Sequence, residues 1–279
     1  MHILFTHFRR FRSGFIQVCF CLGILLLGGC DMIEYHPYDL DIDGETDVNR
    51  RNIERIETAT YRKEEIRFAV ISDTQRWYDE TEDFVKAINK RNDIDFVIHG
   101  GDMSDFGLTK EFLWQRDIMN GLNVPYVVLI GNHDCLGTGA ETYKAVFGPT
   151  NFSFIAGNVK FVCLNTNALE YDYSEPVPNF TFMEQEITSR LDEFEKTVIS
   201  MHARPYTDVF NDNVAKVFQH YIRQYPGIQV CTAAHTHHYQ DDVIFDDGIH
   251  YVTSDCMDYR TYLVFTITPE KYEYELVKY

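Results

Sequence analysis

An α/β fold of layered, buried sheets is what this 279-residue sequence predicts, and three observations carry that expectation. From Ile66 onward, short apolar runs alternate with amphipathic stretches of helical period. Such alternation marks sheets that are covered by helices. In the last third the helices give way to strands joined by acidic turns such as Asp246-Asp247-Gly248. A composition of 45% hydrophobic and 24% charged residues suits one large globular domain and excludes disorder throughout.

At the N-terminus, Arg9, Arg10 and Arg12 precede an apolar run from Phe15 to Leu27. The run is shorter than the ~20 residues of a comfortable bilayer span. A basic start, a short apolar stretch and small residues before a cut describe an export signal over 1–29. Leu27-Gly28-Gly29-Cys30 resembles the lipobox of bacterial lipoproteins. That resemblance implies a lipidated Cys30 as the mature N-terminus and a membrane anchor at the cell envelope. Loss of the three arginines takes the formal charge from −18 to −21, which argues against a nucleic-acid partner. No disulfide is assigned among the remaining Cys135, Cys163, Cys231 and Cys256. Cys163 and Cys231 lie in apolar runs and read as core.

Residues 30–65 read as an acidic tether followed by a short helix, Val48 to Ala59. Asp39-x-Asp41-x-Asp43-Gly44 begins like a calcium loop, but Arg50 stands at its twelfth position, where a bidentate Glu is required. Candidate strands then follow at Arg67–Ile71, Phe96–His99, Tyr126–Ile130, Val159–Leu164, Thr197–Met201, Ile228–Ala233, His250–Thr253 and Tyr262–Thr268. Helical patterns lie at Thr81–Lys90, Thr109–Asn120, Phe182–Phe194 and Asn213–Tyr225. A closing strand places Tyr272, Tyr274 and Leu276 on one face, opposite Glu273 and Glu275.

Chemistry-bearing side chains gather where five of these strands end. Asp73 and Gln75 follow the first and Asp102 the second; Asn132, His133 and Asp134 follow the third. His202 follows Thr197–Met201, and His235 and His237 follow Ile228–Ala233. Open α/β sheets build their sites at that carboxyl edge. Glycines at 100, 101 and 131 allow tight turns and close backbone approach there. Imidazole, carboxylate and amide donors in one set suit Mn, Fe or Zn better than a calcium cage. His99, at the end of a buried strand, reads as structural.

With those residues in order, the sequence resembles the calcineurin-like metallophosphoesterases over roughly Ile66 to His237. The shared motifs are Gly101-Asp102, Gly131-Asn132-His133-Asp134, His202 and His235-Thr236-His237. Two positions depart from the family pattern: Gln75 stands for a ligand histidine, and Ala234 for a glycine. The resemblance implies a β-sandwich flanked by helices, four layers in the order α/β/β/α, over residues 66–279. It implies two divalent ions and a bridging hydroxide that hydrolyse a small phosphoester. Asp73, Gln75, Asp102 and His237 would hold one ion; Asp102, Asn132, His202 and His235 would hold the other. His133 would serve the leaving group as an acid, with Asp134 orienting its ring. Gln75 raises the alternative of a weak or inactive ligand-binding lipoprotein. Loops Leu136–Tyr143 and Tyr171–Asn179 are expected to set specificity, and Arg76, Trp77, Tyr78, Arg204, Tyr206 and Tyr259 to line the mouth.

Overall fold

Neighbouring side chains on a strand leave from opposite faces, so a strand with apolar side chains on both faces must be covered twice. In β1 (Ile66–Ile71), Phe68 and Val70 enter one core while Ala69 and Ile71 enter another. The computed structural model describes His36 and residues 38–169 and 175–279. The expected signal 1–29, Cys30 and part of the Tyr171–Asn179 loop lie outside them. The chain divides into two units, Met1–Asp39 and Leu40–Tyr279, and the second carries everything below. Among the described residues no helix is long and apolar enough to cross a membrane.

One sheet joins β1 in parallel to β2 (Phe96–His99), and β2 in parallel to β3 (Tyr126–Val128). The closing hairpin of β10 (Thr261–Ile267) and β11 (Tyr272–Lys278) adds antiparallel to the other side of β1. The second sheet has the order β4-β5-β6-β7-β9-β8. Here β5 (Val159–Leu164), β6 (Lys196–Met201), β7 (Ile228–Ala233) and β9 (Tyr251–Thr253) run parallel, with β4 (Phe152–Ala156) and β8 (Gln240–Asp242) antiparallel at the edges. Between the sheets Phe68 stacks on Phe96 at 5.4 Å and meets Phe161 edge-on at 5.0 Å.

Helices cover both outer faces. Phe84 of α2 (Tyr78–Ile88), Phe112 and Met119 of α3 (Thr109–Met119) and Tyr143 and Val146 of α4 (Gly139–Val146) pack over the first sheet. Met183 of α5 (Phe180–Thr188) and Phe218 and Ile222 of α6 (Ala215–Ile222) pack over the second. The order is α/β/β/α, as the resemblance implied. Helix α1 (Val48–Ala59) adds Asn49, whose Nδ2 donates to Val128 O and whose Oδ1 accepts from Val128 N, both at 2.8 Å. The side chain thereby satisfies the open edge of β3.

Three expectations shift. The Leu136–Tyr143 loop turns helical at Gly139, because Tyr143 is pinned inward by its hydroxyl on Val128 O at 2.6 Å. The Phe182–Phe194 pattern ends at Thr188 and resumes as a 3₁₀ turn, Leu191–Glu193. Strands β4 and β8 are additional. Cys163 and Cys231 are buried free thiols, as read.

Lys160 of β5 is wholly buried. Its Nζ donates to Glu186 O, Ser189 O and Ser189 Oγ at 2.6, 2.9 and 2.7 Å, closing the C-terminus of α5, with the Glu186 carboxylate at 2.9 Å. Lys160→Met is expected to cost about 3 kcal/mol in urea unfolding, since it takes the amine from two main-chain carbonyls and its charge from the Glu186 carboxylate, which keeps the Ser153 and Ser189 hydroxyls. A change below 0.5 kcal/mol would mean that water replaces the amine freely.

Candidate metal centre

The parallel strands β1, β2, β3, β6 and β7 bring their carboxyl ends to one place. Asp73 N donates to Gly101 O at 3.0 Å, and Thr74 N and Gln75 N donate to Asp102 O at 3.0 and 3.1 Å. Across the sheets His202 Nδ1 donates to Gly100 O at 2.9 Å, and Ala234 N donates to His202 O. Gly131 is required here: a Cβ on it would lie 2.1 Å from Asp102 Oδ1 and 2.3 Å from Asp102 N. Asp73, Asp102, His235 and His237 all have left-handed backbone, with φ of 52°, 59°, 72° and 62°.

All seven expected donors sit around this pocket. Asp73, Asp102 and His202 are buried and offer donor atoms within 4.8 Å of one another. Asn132 Oδ1 lies 3.0 Å from His202 Nε2 and 2.8 Å from His235 Nδ1. Asp102 Oδ2 is 3.5 Å from His202 Nε2 and 3.4 Å from Gln75 Nε2, so it stands between two groups of donors. His237 Nε2 is 3.4 Å from Asp73 Oδ1. Among the described residues, two buried acceptors lack a well-formed hydrogen bond: Asp73 Oδ1, with only this long His237 contact, and Gln75 Oε1. Buried orphan oxygens are rare, and a cation satisfies them. The donor set fits divalent ions.

Electrostatics point the same way. Burial opposes charge on His202, yet Asp102 and Asp73 outweigh it and push its pKa up to about 9. Burial likewise opposes charge on Asp102, and His202 with His133 holds it below the usual carboxylate range. A proton on His202 Nε2 thus stands where a cation would, and binding one releases that proton.

Asp134 does not orient the His133 ring. Its carboxylate accepts from Asp102 N, Ser104 N, Ser104 Oγ and Gly131 N at 2.8 to 2.9 Å, so it ties two loops together. Burial and the charge of Asp102 push its pKa up to about 6 against those donors. The ring is held by Asp105 instead. His133 Nδ1 donates to Asp105 O at 2.8 Å, with Asp105 Oδ1 at 3.6 Å, and Arg76 clamps that carboxylate through two bonds of 2.6 and 2.7 Å. A second missed residue is Asp208, whose Oδ1 accepts from His235 Nε2. Of the mouth candidates, Arg204 is drawn to Gln240 and Asp242, while Tyr259 lies 5.5 Å from the His238 ring.

His99 is structural, as read. Its Nδ1 accepts from Gly101 N at 3.2 Å, so Nε2 donates to Thr74 Oγ1 at 2.9 Å. Burial pulls its pKa down to about 4. Unfolded, the ring titrates near 6.5, so between these values only the unfolded chain takes the proton. Its stabilising contribution is full above pH 6.5 and falls as pH drops toward 4, by roughly 3 kcal/mol in all. Urea midpoints of metal-free His99→Gln should decline less over that window than those of the wild type. Equal declines would place the acid sensitivity elsewhere.

Fold and donor set together define a metal-dependent phosphoester hydrolase. The family model of calcineurin-like phosphoesterases matches residues 66–239. The chain belongs to this family and is a metallophosphoesterase. A search of curated proteins gives no significant match. Among solved structures it is similar to a dimetal phosphatase from Danio rerio, at 12% identity and a TM-score of 0.61 over 76% of this chain and 97% of the other. GAP50, the anchor in the inner membrane complex of Plasmodium, matches at 11% identity and TM-score 0.59 over 77% and 85%. Purple acid phosphatase PPD1 from yellow lupin seeds matches at 14% and 0.57 over 77% of this chain and 51% of its own length. These likenesses concern the fold.

Proposed function

We propose that this protein hydrolyses a small phosphoester at a two-ion site, displayed on a bacterial envelope membrane through Cys30. The convergence of Asn132 Oδ1, His202 Nε2 and His235 Nδ1, beside the orphaned Asp73 Oδ1 and Gln75 Oε1, carries the reading. Asp73, Gln75 and His237 would hold one ion, Asn132, His202 and His235 the other, with Asp102 available to both. Divalent ions, when bound, supply Lewis-acid stabilisation of phosphoryl charge and a nucleophile at neutral pH.

The chain's own residues do the rest. His133 gives its Nδ1–H to Asp105 O, so in the doubly protonated ring the second N–H, on Nε2, is the one left to pass a proton to the leaving oxygen, and the ring returns to its neutral Nδ1–H form. Asp105, clamped by Arg76, fixes that aim. Asp134 keeps the Asp102 and Gly131 loops in contact, so the donors hold their spacing without substrate. No side chain is required as a covalent nucleophile.

Gln75 favours a second reading, a binding lipoprotein with little or no turnover. An amide oxygen binds most transition metals less well than imidazole. Chelator-stripped protein is to be reloaded with Mn, Zn or Fe, with metal content measured beside hydrolysis of p-nitrophenyl and bis-p-nitrophenyl phosphate. Two ions and restored turnover are expected. No turnover with any ion would favour the binding protein, and recovery in Gln75→His would identify the cause. Anchoring is tested separately: wild type should partition with membranes and Cys30→Ser should not.

A further inference from the structure

Building on the two-ion reading, we propose that the two halves of the pocket bind their ions with unequal strength, and that the weaker half ties activity to free cation concentration. The stronger half is the one whose imidazoles are already held. His202 is fully buried, and its outer nitrogen, Nδ1, donates to Gly100 O at 2.9 Å. His235 donates from its outer nitrogen, Nε2, to the Asp208 carboxylate, which leaves Nδ1 turned to Asn132. A carboxylate or carbonyl on the outer N–H fixes the tautomer and ring direction and makes the inner nitrogen more basic. Little ordering remains to be lost when an ion arrives.

The weaker half lacks such support. His237 has a side chain 45% exposed, and among the described residues its second nitrogen has no hydrogen-bond partner. Gln75 is buried but offers only a neutral amide oxygen, a weaker donor than imidazole, with its Nε2 on Asp102 Oδ2 at 3.4 Å. The half-exposed His237 ring must be ordered on binding, which costs free energy that the other half has already met. Asp208 is therefore a positioning residue. Its side chain is 86% exposed, so it acts through His235 and not by packing.

The test is a calorimetric titration of the chelator-stripped full chain with Mn²⁺ alone, with turnover of bis-p-nitrophenyl phosphate followed in parallel. Two steps at least ~10-fold apart are expected, with turnover rising on the second. Asp208→Ala should weaken the tight step by about 10- to 100-fold and spare the loose one. Asp208→Asn, whose amide oxygen still accepts from Nε2–H, should recover part of the loss. Gln75→His should tighten the loose step alone. Two equal steps, or an unchanged tight step in Asp208→Ala, overturn the inference while leaving the two-ion reading intact. A single ion at saturation, or none, overturns both.

Discussion

His133→Ala is expected to lower kcat on an alkyl phosphoester by about 10²- to 10⁴-fold, while bound metal stays at the wild-type level. An alkoxide is a poor leaving group, so a missing proton donor is felt in full. p-Nitrophenolate departs unprotonated, so the same variant should lose far less on a p-nitrophenyl ester. The contrast is the signature of an acid. His133 lies outside both donor groups; its ring bonds to Asp105 O and its main-chain N–H to Asp102 Oδ1 at 2.9 Å. The main-chain bond survives truncation. Equal losses on both leaving groups, or loss of metal, would show that the ring supports the pocket and transfers no proton.

Gly131→Ala should do more harm than its size suggests. The new Cβ would sit 2.1 Å from Asp102 Oδ1 and 2.3 Å from Asp102 N, and neither main chain can yield alone. Parting the loops removes the Asp134 carboxylate from Asp102 N and Gly131 N together. A loss of at least ~3 kcal/mol in urea unfolding is expected, with Mn binding abolished. A variant with the wild-type midpoint and metal content would contradict the close approach of these loops.

The sequence was most legible where one local signal sufficed. Phe96–His99, Val159–Leu164 and Ile228–Ala233 are strands within the bounds read from their apolar runs. β8 (Gln240–Asp242) escaped notice because it is polar, an edge strand ordered by pairing with β9. α4 begins on a glycine, which hides a helix whose burial comes from Tyr143 and Val146. Within the site, Gly131-Asn132-His133-Asp134 could be read because its donors follow strands directly. Asp105 and Asp208 could not. Each is a lone acid in a loop, and its partner is chosen by how that loop returns to the sheet edge. Asp134 misled for the opposite reason: adjacency to His133 suggested a contact that the 3₁₀ turn His133–Cys135 does not make.

The left-handed backbone at Asp73, Asp102, His235 and His237 has a consequence for engineering. Such a conformation is strained by about 1 kcal/mol at each position, and glycine relieves it. Stability and chemistry therefore pull in opposite directions at four sites along one rim. A library selected by heat alone would gather replacements there early, and its most durable members would be the ones least able to hold an ion. Selection for thermostability in this scaffold should therefore exclude those four positions from randomisation.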